Sequence, residues 1–179
     1  MQNSEWKKIV AELKSTGIKV FYHFTCRSNA ESIKKHGLLS RRRLRDAGIP
    51  FSTLAREADL EWQKKSDEEF EDYVQLKLTR EDQRIRQDKD TIIVLVNLDV
   101  LRYPGIVFSN KDLWCKDKKV SSGLNGFHLI KLEYFRYPID YDRCRIDNEY
   151  RLNLGAEILV NGQISTNDII AIEPFLKTY

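Results

Sequence analysis

Residues 91–98, Thr-Ile-Ile-Val-Leu-Val-Asn-Leu, run almost without a polar interruption. A strand that alternates polar and apolar side chains keeps one wet face, whereas a continuous apolar strand is covered on both. The chain therefore needs a sheet with this segment inside it. Partners are legible nearby. Ile18 to Phe24 (IKVFYHF) is rich in β-branched and aromatic residues, and Tyr73 to Leu78 alternates like a half-buried strand. Ala156 to Val160 and Ile169 to Ile172 predict two more strands, with Asn161-Gly162 between them as a turn.

Helical signals come earlier. Trp6, Ile9, Val10 and Leu13 fall at i, i+3, i+4, i+7 on one apolar face, and Gly17 stops that helix. A second helix is expected from Ser28, with Ser28 and Glu31 as a capping box and Gly37 as its end. Residues 53–66 read as helical, and 110–148 as irregular, with aromatics scattered among charges. Helices early and strands late, without regular βαβ alternation, predict an α+β fold of two packed, largely antiparallel sheets with flanking helices. With no repeat, linker or low-complexity tract, the 179 residues read as one domain, 1–179.

Several classes are excluded as expectations. There is no GxGxxG after a strand and no GxxxxGK[ST], so a nucleotide would be held by neither a Rossmann crevice nor a P-loop. No apolar run approaches the ~18 residues of a membrane span, and the charged N-terminus lacks a signal peptide's apolar core. Cys26, Cys115 and Cys144 are far apart and odd in number, which argues for a reducing, cytoplasmic setting and against a zinc site. The net charge of +3 is too small to specify a partner. Its distribution says more: Arg41, Arg42, Arg43 and Arg45 place four guanidinium groups within five residues, a cluster that can hold phosphates or simply be a solvated helix end.

Four segments carry the chemistry. The first is Tyr22-His23-Phe24-Thr25, then Ser28-Asn29-Ala30-Glu31, then His36-Gly37-Leu38-Leu39-Ser40; the second is Asp72-Tyr73-Val74-Gln75-Leu76. The third is Val96-Asn97-Leu98-Asp99 followed by Gly105-Ile106-Val107-Phe108-Ser109-Asn110, and the fourth Gly155-Ala156-Glu157-Ile158-Leu159-Val160 with Gly162-Gln163-Ile164. In this order they resemble the DarT family of DNA-modifying ADP-ribosyltransferases over residues 20–175. The resemblance implies an ADP-ribosyltransferase-like domain that uses NAD as ADP-ribose donor and no metal. It makes Glu157 the catalytic carboxylate and His23 the group anchoring a ribose hydroxyl or the nicotinamide end. Tyr22, His23, Thr25, Asn29, Gly37, Leu38 and Tyr73 would line the NAD pocket, with Tyr22, Tyr73 or Phe108 stacking on a ring. Independently of the resemblance, a carboxylate opening an apolar strand needs a reason: it faces solvent or it has a purpose.

The family's phosphate-holding arginine, on the helix before the Asp72-Tyr73-Val74 strand, is absent: residues 59–65 offer lysines instead. Lys65 or the earlier Arg56 would supply the charge, Lys65 without a planar fork. The resemblance also implies single-stranded DNA as acceptor, which needs a basic groove and a stacking platform. Candidates are Arg41, Arg42 and Arg43, then Lys111, Trp114, Lys116, Lys118 and Lys119, followed by Phe127 and His128. A genome-damaging activity further implies a toxin or phage-defence setting with a cognate antitoxin or ADP-ribose-removing hydrolase. Alternatives stay open: a related enzyme of the same fold acting on RNA or protein, a phosphotransferase that removes a 2′-phosphate from RNA, a catalytically inactive nucleic-acid-binding module, and a plain interaction domain.

Overall fold

The unbroken apolar run lies inside a sheet. In the computed structural model of the chain, which describes residues 4–54, 68–80, 90–113, 115–135 and 139–175, Thr91–Asn97 (β4) pairs on one side with Val20–Cys26 (β1) and on the other with Ile169–Pro174 (β9). Beyond β1 come Tyr73–Lys77 (β3), Glu157–Asn161 (β7), Val107–Ser109 (β5) and Val120–Ser122 (β6), giving seven antiparallel strands in the order β6-β5-β7-β3-β1-β4-β9. Leu38–Leu39 (β2) and Gln163–Ile164 (β8) form a separate two-stranded ladder. The two sheets expected are thus one large and one small. The large one is nearly two itself, because between β1 and β3 the register closes only at Tyr22 opposite Lys77, whereas β1 and β4 match along their whole length.

The main core lies on one face, where Phe21, Leu76, Val94, Phe108 and Ile158 are 0–1% exposed. Full burial of each such side chain contributes ~1.5–3 kcal/mol. The first predicted helix, Glu5–Ser15 (α1), covers this face with Ile9, Val10 and Leu13, and Gly17 leaves it at φ +91°. Between β4 and β5 a 3-10 turn from Leu98 to Arg102 buries Leu98, Val100 and Leu101. Arg102 Nη2 donates to both oxygens of buried Asp168 (3.0 and 3.2 Å), and the Tyr103 hydroxyl donates to Oδ2 at 2.5 Å. That clamp ties the turn leading into β9 to the turn leaving β4.

The second helix departs from expectation. A 3-10 turn spans Arg27–Asn29 and the α-helix, Ala30–His36 (α2), begins afterwards with no side-chain cap. Ser28 is therefore inside the turn, and its hydroxyl donates to Ser52 Oγ at 3.0 Å, while Glu31 pairs with Lys34. A tertiary partner replaced the capping box. The stretch 110–148 is more regular than expected, containing β6, the helices Gly123–Phe127 (α4) and Tyr141–Ile146 (α5), and a 3-10 turn at Leu132–Phe135, with Asn148–Asn153 (α6) following. The helix expected over 53–66 falls almost wholly outside the described residues.

Candidate active site

One rung of the sheet assembles the chemistry. Ser109 on β5 is opposite Glu157 on β7, Glu157 is opposite Lys77 on β3, and Lys77 is opposite Tyr22 on β1. Directly opposed residues of antiparallel strands project to the same face. Their sequence neighbours Phe108, Ile158, Leu76 and Phe21 fill the core, so this rung projects from the other side of the sheet. It is nevertheless dry: Glu157 is 3% exposed, and the Lys77 side chain 11%. The cover comes from the loop after β5, where Asp112 and Leu113 are both buried.

Two members of this rung, Lys77 and Glu157, form an ion pair, while the Ser109 hydroxyl donates to the Lys111 carbonyl at 2.6 Å. Acceptors around the three N–H donors of the Lys77 ammonium include Glu157 Oε1 at 2.5 Å, Asp112 Oδ2 at 2.8 Å and the Gly155 carbonyl at 3.3 Å. Glu157 Oε2 accepts the Leu113 N–H at 3.1 Å. Burial raises the proton affinity of Glu157, Lys77 opposes that, and the neighbouring Asp112 adds to it; the carboxyl is pushed up to about 7. Glu157 thus neither faces solvent nor stands unpaired. Beside it Phe70, Leu113 and Leu159, with Tyr73 and Val107 against them, make a small apolar cluster. The sequence reading missed Lys77 and Asp112. Alternation in Tyr73–Leu78 did put Lys77 on the face away from Val74 and Leu76, but no local pattern marks Asp112.

His23 follows Tyr22 on β1, at the seam between the two halves of the sheet; opposite Val94, it projects by the same alternation to the face away from the Glu157 rung. Where β1 and β3 part, its Nδ1–H donates to the Gln75 carbonyl at 2.9 Å. Burial holds its proton affinity below the ordinary histidine value; the Gln75 bond opposes that shift and the Arg41 charge adds to it, so the neutral ring is favoured. Buried Thr25 accepts a hydrogen bond from Asn29 Nδ2 (2.8 Å), which also donates to the Ser52 carbonyl (2.8 Å) while Asn29 Oδ1 accepts the Ser52 N–H (2.9 Å). Asn29 therefore pins the segment around Ser52 to the end of β1. Gly37 has φ +77°, and a Cβ there would meet the Ile164 carbonyl oxygen at 2.1 Å; Leu38 is buried and pairs with Ile164. These two are required by the β2–β8 ladder, whatever else they line.

Tyr22 is half-buried at the end of the rung, and Tyr73 is half-buried against Phe70. Phe108, a stacking candidate from the sequence, is wholly buried against Phe127 and presents no face to a ligand. Phe127 is buried likewise and offers no platform for a base, while the adjacent His128 is exposed. Buried aromatics and surface aromatics look alike in sequence when no alternation frames them. Arg56, Lys65 and Trp114 lie outside the described residues.

The arginine cluster divides. It lies on the helix Arg41–Asp46 (α3), whose first turn is capped by Ser40. Arg42 pairs with Glu71 and Asp72, Arg45 with Glu71, and Arg43 donates to Gln163 at 2.5 Å. Arg41, half-buried, is the member whose field reaches His23. In the loop after β5, Lys111 pairs with Asp117 and Lys118 with Glu69, while Lys116 and Lys119 are exposed.

A family model described as DarT, ssDNA thymidine ADP-ribosyltransferase, matches residues 22–173. The chain belongs to the DarT family. DarT structures share its fold. Thermus sp. 2.9 DarT in complex with ADP-ribosylated ssDNA superposes with a TM-score of 0.65 at 16% identity, over 87% of this chain and 81% of that one. The same protein in complex with NAD+ gives 0.58 over the same shares, again at 16% identity. Thermosipho africanus DarTG in complex with ADP-ribose gives 0.62 at 14% identity; the match covers 86% of this chain but only 43% of that one. No curated protein matches by sequence. Among the described residues of this DarT-family chain, no helix is long and apolar enough to cross a membrane, and no group of three His, Cys, Asp or Glu could hold a metal.

Proposed function

We propose that this chain transfers ADP-ribose from NAD to a base in single-stranded DNA, with Glu157 as the catalytic carboxylate. The observation that carries the assignment is a dry carboxylate at about neutral proton affinity, fixed by a lysine and a backbone N–H, in a DarT-family sheet. NAD supplies an activated ribose whose bond to nicotinamide is the one that breaks. The residues beside the seam suit such a ligand. Ionised Glu157 stabilises positive charge developing on a sugar, and near pH 7 it also accepts a proton from an acceptor group. A neutral His23 that donates through Nδ1 keeps its lone pair on Nε2, which accepts from a ribose hydroxyl. Thr25 and Asn29 hold the β1 end in shape, and Tyr22 and Tyr73 remain the aromatics placed to stack. Arg41 brings a cation to the His23 side, as a complement to Arg56 and Lys65 in holding phosphates.

On the acceptor side, exposed Lys116 and Lys119 lie on the loop that covers Glu157, and Arg43 on α3, bonded to neutral Gln163, adds positive charge, whereas Glu71 and Asp72 offset that of Arg42. We read the chain as a cytoplasmic toxin or phage-defence effector, its three cysteines free of disulfides, with a cognate antitoxin or ADP-ribose-removing hydrolase as partner. The existence of a Thermosipho africanus DarTG, of which this chain matches less than half, supports looking for one. The test incubates the parent and Glu157→Ala with labelled NAD and a panel of single-stranded DNA, RNA and protein. Label on DNA with the parent alone supports the reading. Label on RNA or protein replaces the substrate, and no label with folded protein points to an inactive binding module.

A further inference from the structure

At 3% exposure Glu157 has to turn outward to touch a substrate, yet it is half of a buried ion pair. Withdrawing one partner from such a pair leaves the other charge stranded in a dry site, which is among the more costly single events in a protein. Lys77 is not left in that position here. Asp112 holds the same ammonium at 2.8 Å, and the Gly155 carbonyl holds it at 3.3 Å. The groups face one another from three elements: Lys77 from β3, Glu157 from the start of β7, and Asp112 from the loop after β5.

Resting on the assignment of Glu157 as the catalytic carboxylate, we propose that Lys77 and Asp112 are positioning residues: Asp112 retains the Lys77 ammonium whenever Glu157 swings out to substrate. One cation between two carboxylates carries a net charge of −1, so a single proton on either acid neutralises the cluster. The buried site prefers that neutral form. Each neighbour therefore sets how readily Glu157 ionises, and in opposite senses. Lys77 favours the carboxylate that catalysis needs; Asp112 disfavours it while making the release of Glu157 affordable.

Loop geometry couples the device to its cover. Asp112 contributes its carboxylate to Lys77, and the very next residue, Leu113, contributes its N–H to Glu157 Oε2. The loop is closed at its base, where the Asn110 side chain accepts the Lys119 N–H at 2.7 Å and the Lys119 carbonyl accepts the Asn110 N–H at 3.2 Å. One dipeptide thus reads both charges of the pair, and the exposed lysines lie on the same loop.

The experiment compares the parent, Asp112→Asn and Lys77→Met by carboxyl 13C NMR of glutamate-labelled protein without NAD, with Glu157→Gln identifying the resonance. In parallel, the pH dependence of NAD-driven transfer is measured for each. Asp112→Asn is expected to weaken proton binding at Glu157 and Lys77→Met to strengthen it, each about tenfold or more, as a charge at this range does. In each variant the acid limb of the rate profile follows that variant's own midpoint. Midpoints that stay put in folded Asp112→Asn, or that move in the same direction in both variants, overturn the proposal. Should Lys77→Met fail to fold, the Asp112→Asn midpoint decides alone. Opposite shifts in the two variants of a parent that transfers nothing from NAD would uphold the cluster and sink the assigned function.

Discussion

Replacing Glu157 by glutamine should make the protein more stable at high pH than at low pH relative to its parent, and the structure sets the size of the effect. The glutamine keeps the shape and the acceptor oxygen for the Leu113 N–H or the Lys77 ammonium, so packing is little changed. What disappears is a titration. In the unfolded chain this carboxyl ionises near 4.5; folded, burial pushes it up to about 7. Between those values the folded protein holds a proton that the unfolded chain has released, so raising the pH through this window removes stability. Below the window both states are protonated and the contribution is fully present; above it both are ionised and it is gone. At 1.36 kcal/mol for each pH unit, the displacement is worth about 3 kcal/mol. For a chain of this size that is ~6–12 °C in Tm. Urea unfolding of both proteins between about pH 5 and 8 measures it. The parent should lose about 3 kcal/mol relative to the variant as pH rises. Parallel curves would show that the buried carboxyl does not titrate as described, and the argument from its desolvation would fail.

Three further substitutions test the frame around the site. Gly37→Ala should cost more than about 1–3 kcal/mol, because φ +77° strains any side chain and the new Cβ meets the Ile164 carbonyl; an unchanged thermal midpoint would contradict the β2–β8 packing. Asp168→Ala removes both charge-assisted bonds from Arg102 and that from Tyr103, for about 2–3 kcal/mol, and should speed amide exchange along β9 first. Asn29→Ala releases the segment around Ser52 from β1, costing about 1–2 kcal/mol. Its signature is faster proteolysis near Ser52 with little change in global unfolding.

Much of the frame was legible because it is local. The apolar run at 91–98 had to be an inner strand, and it lies between β1 and β9. Alternation placed β3, and the short apolar run with Asn161-Gly162 placed β7 and the turn into β8. Glu157 stood out as a carboxylate in an apolar context, and His23 as a strand-borne histidine within a family-like segment. Reading failed where a distant residue competed with a local rule. Ser28 had the spacing of a cap, but Ser52 took its hydroxyl. The arginine run read as one patch, yet Arg42, Arg43 and Arg45 engage Glu71, Asp72 and Gln163, while the charge of Arg41 reaches His23. Phe108 and Phe127 could be surface or core by their letters, and their strand and helix faces bury them.

Periodicity records which way a side chain points, and that is a property of each segment alone. It does not record who stands opposite. Lys77 meets Glu157 because β3 and β7 pair in one particular register, and a slip of one residue would have turned Lys77 to the other face of the sheet. Asp112 arrives from a loop with no period at all. The elements and the candidate carboxylate thus belong to the chain's local pattern. The lysine that steadies the carboxylate, the second acid that shares the lysine, and the near-neutral titration that results exist only once strands far apart in sequence are brought together and water is excluded from between them.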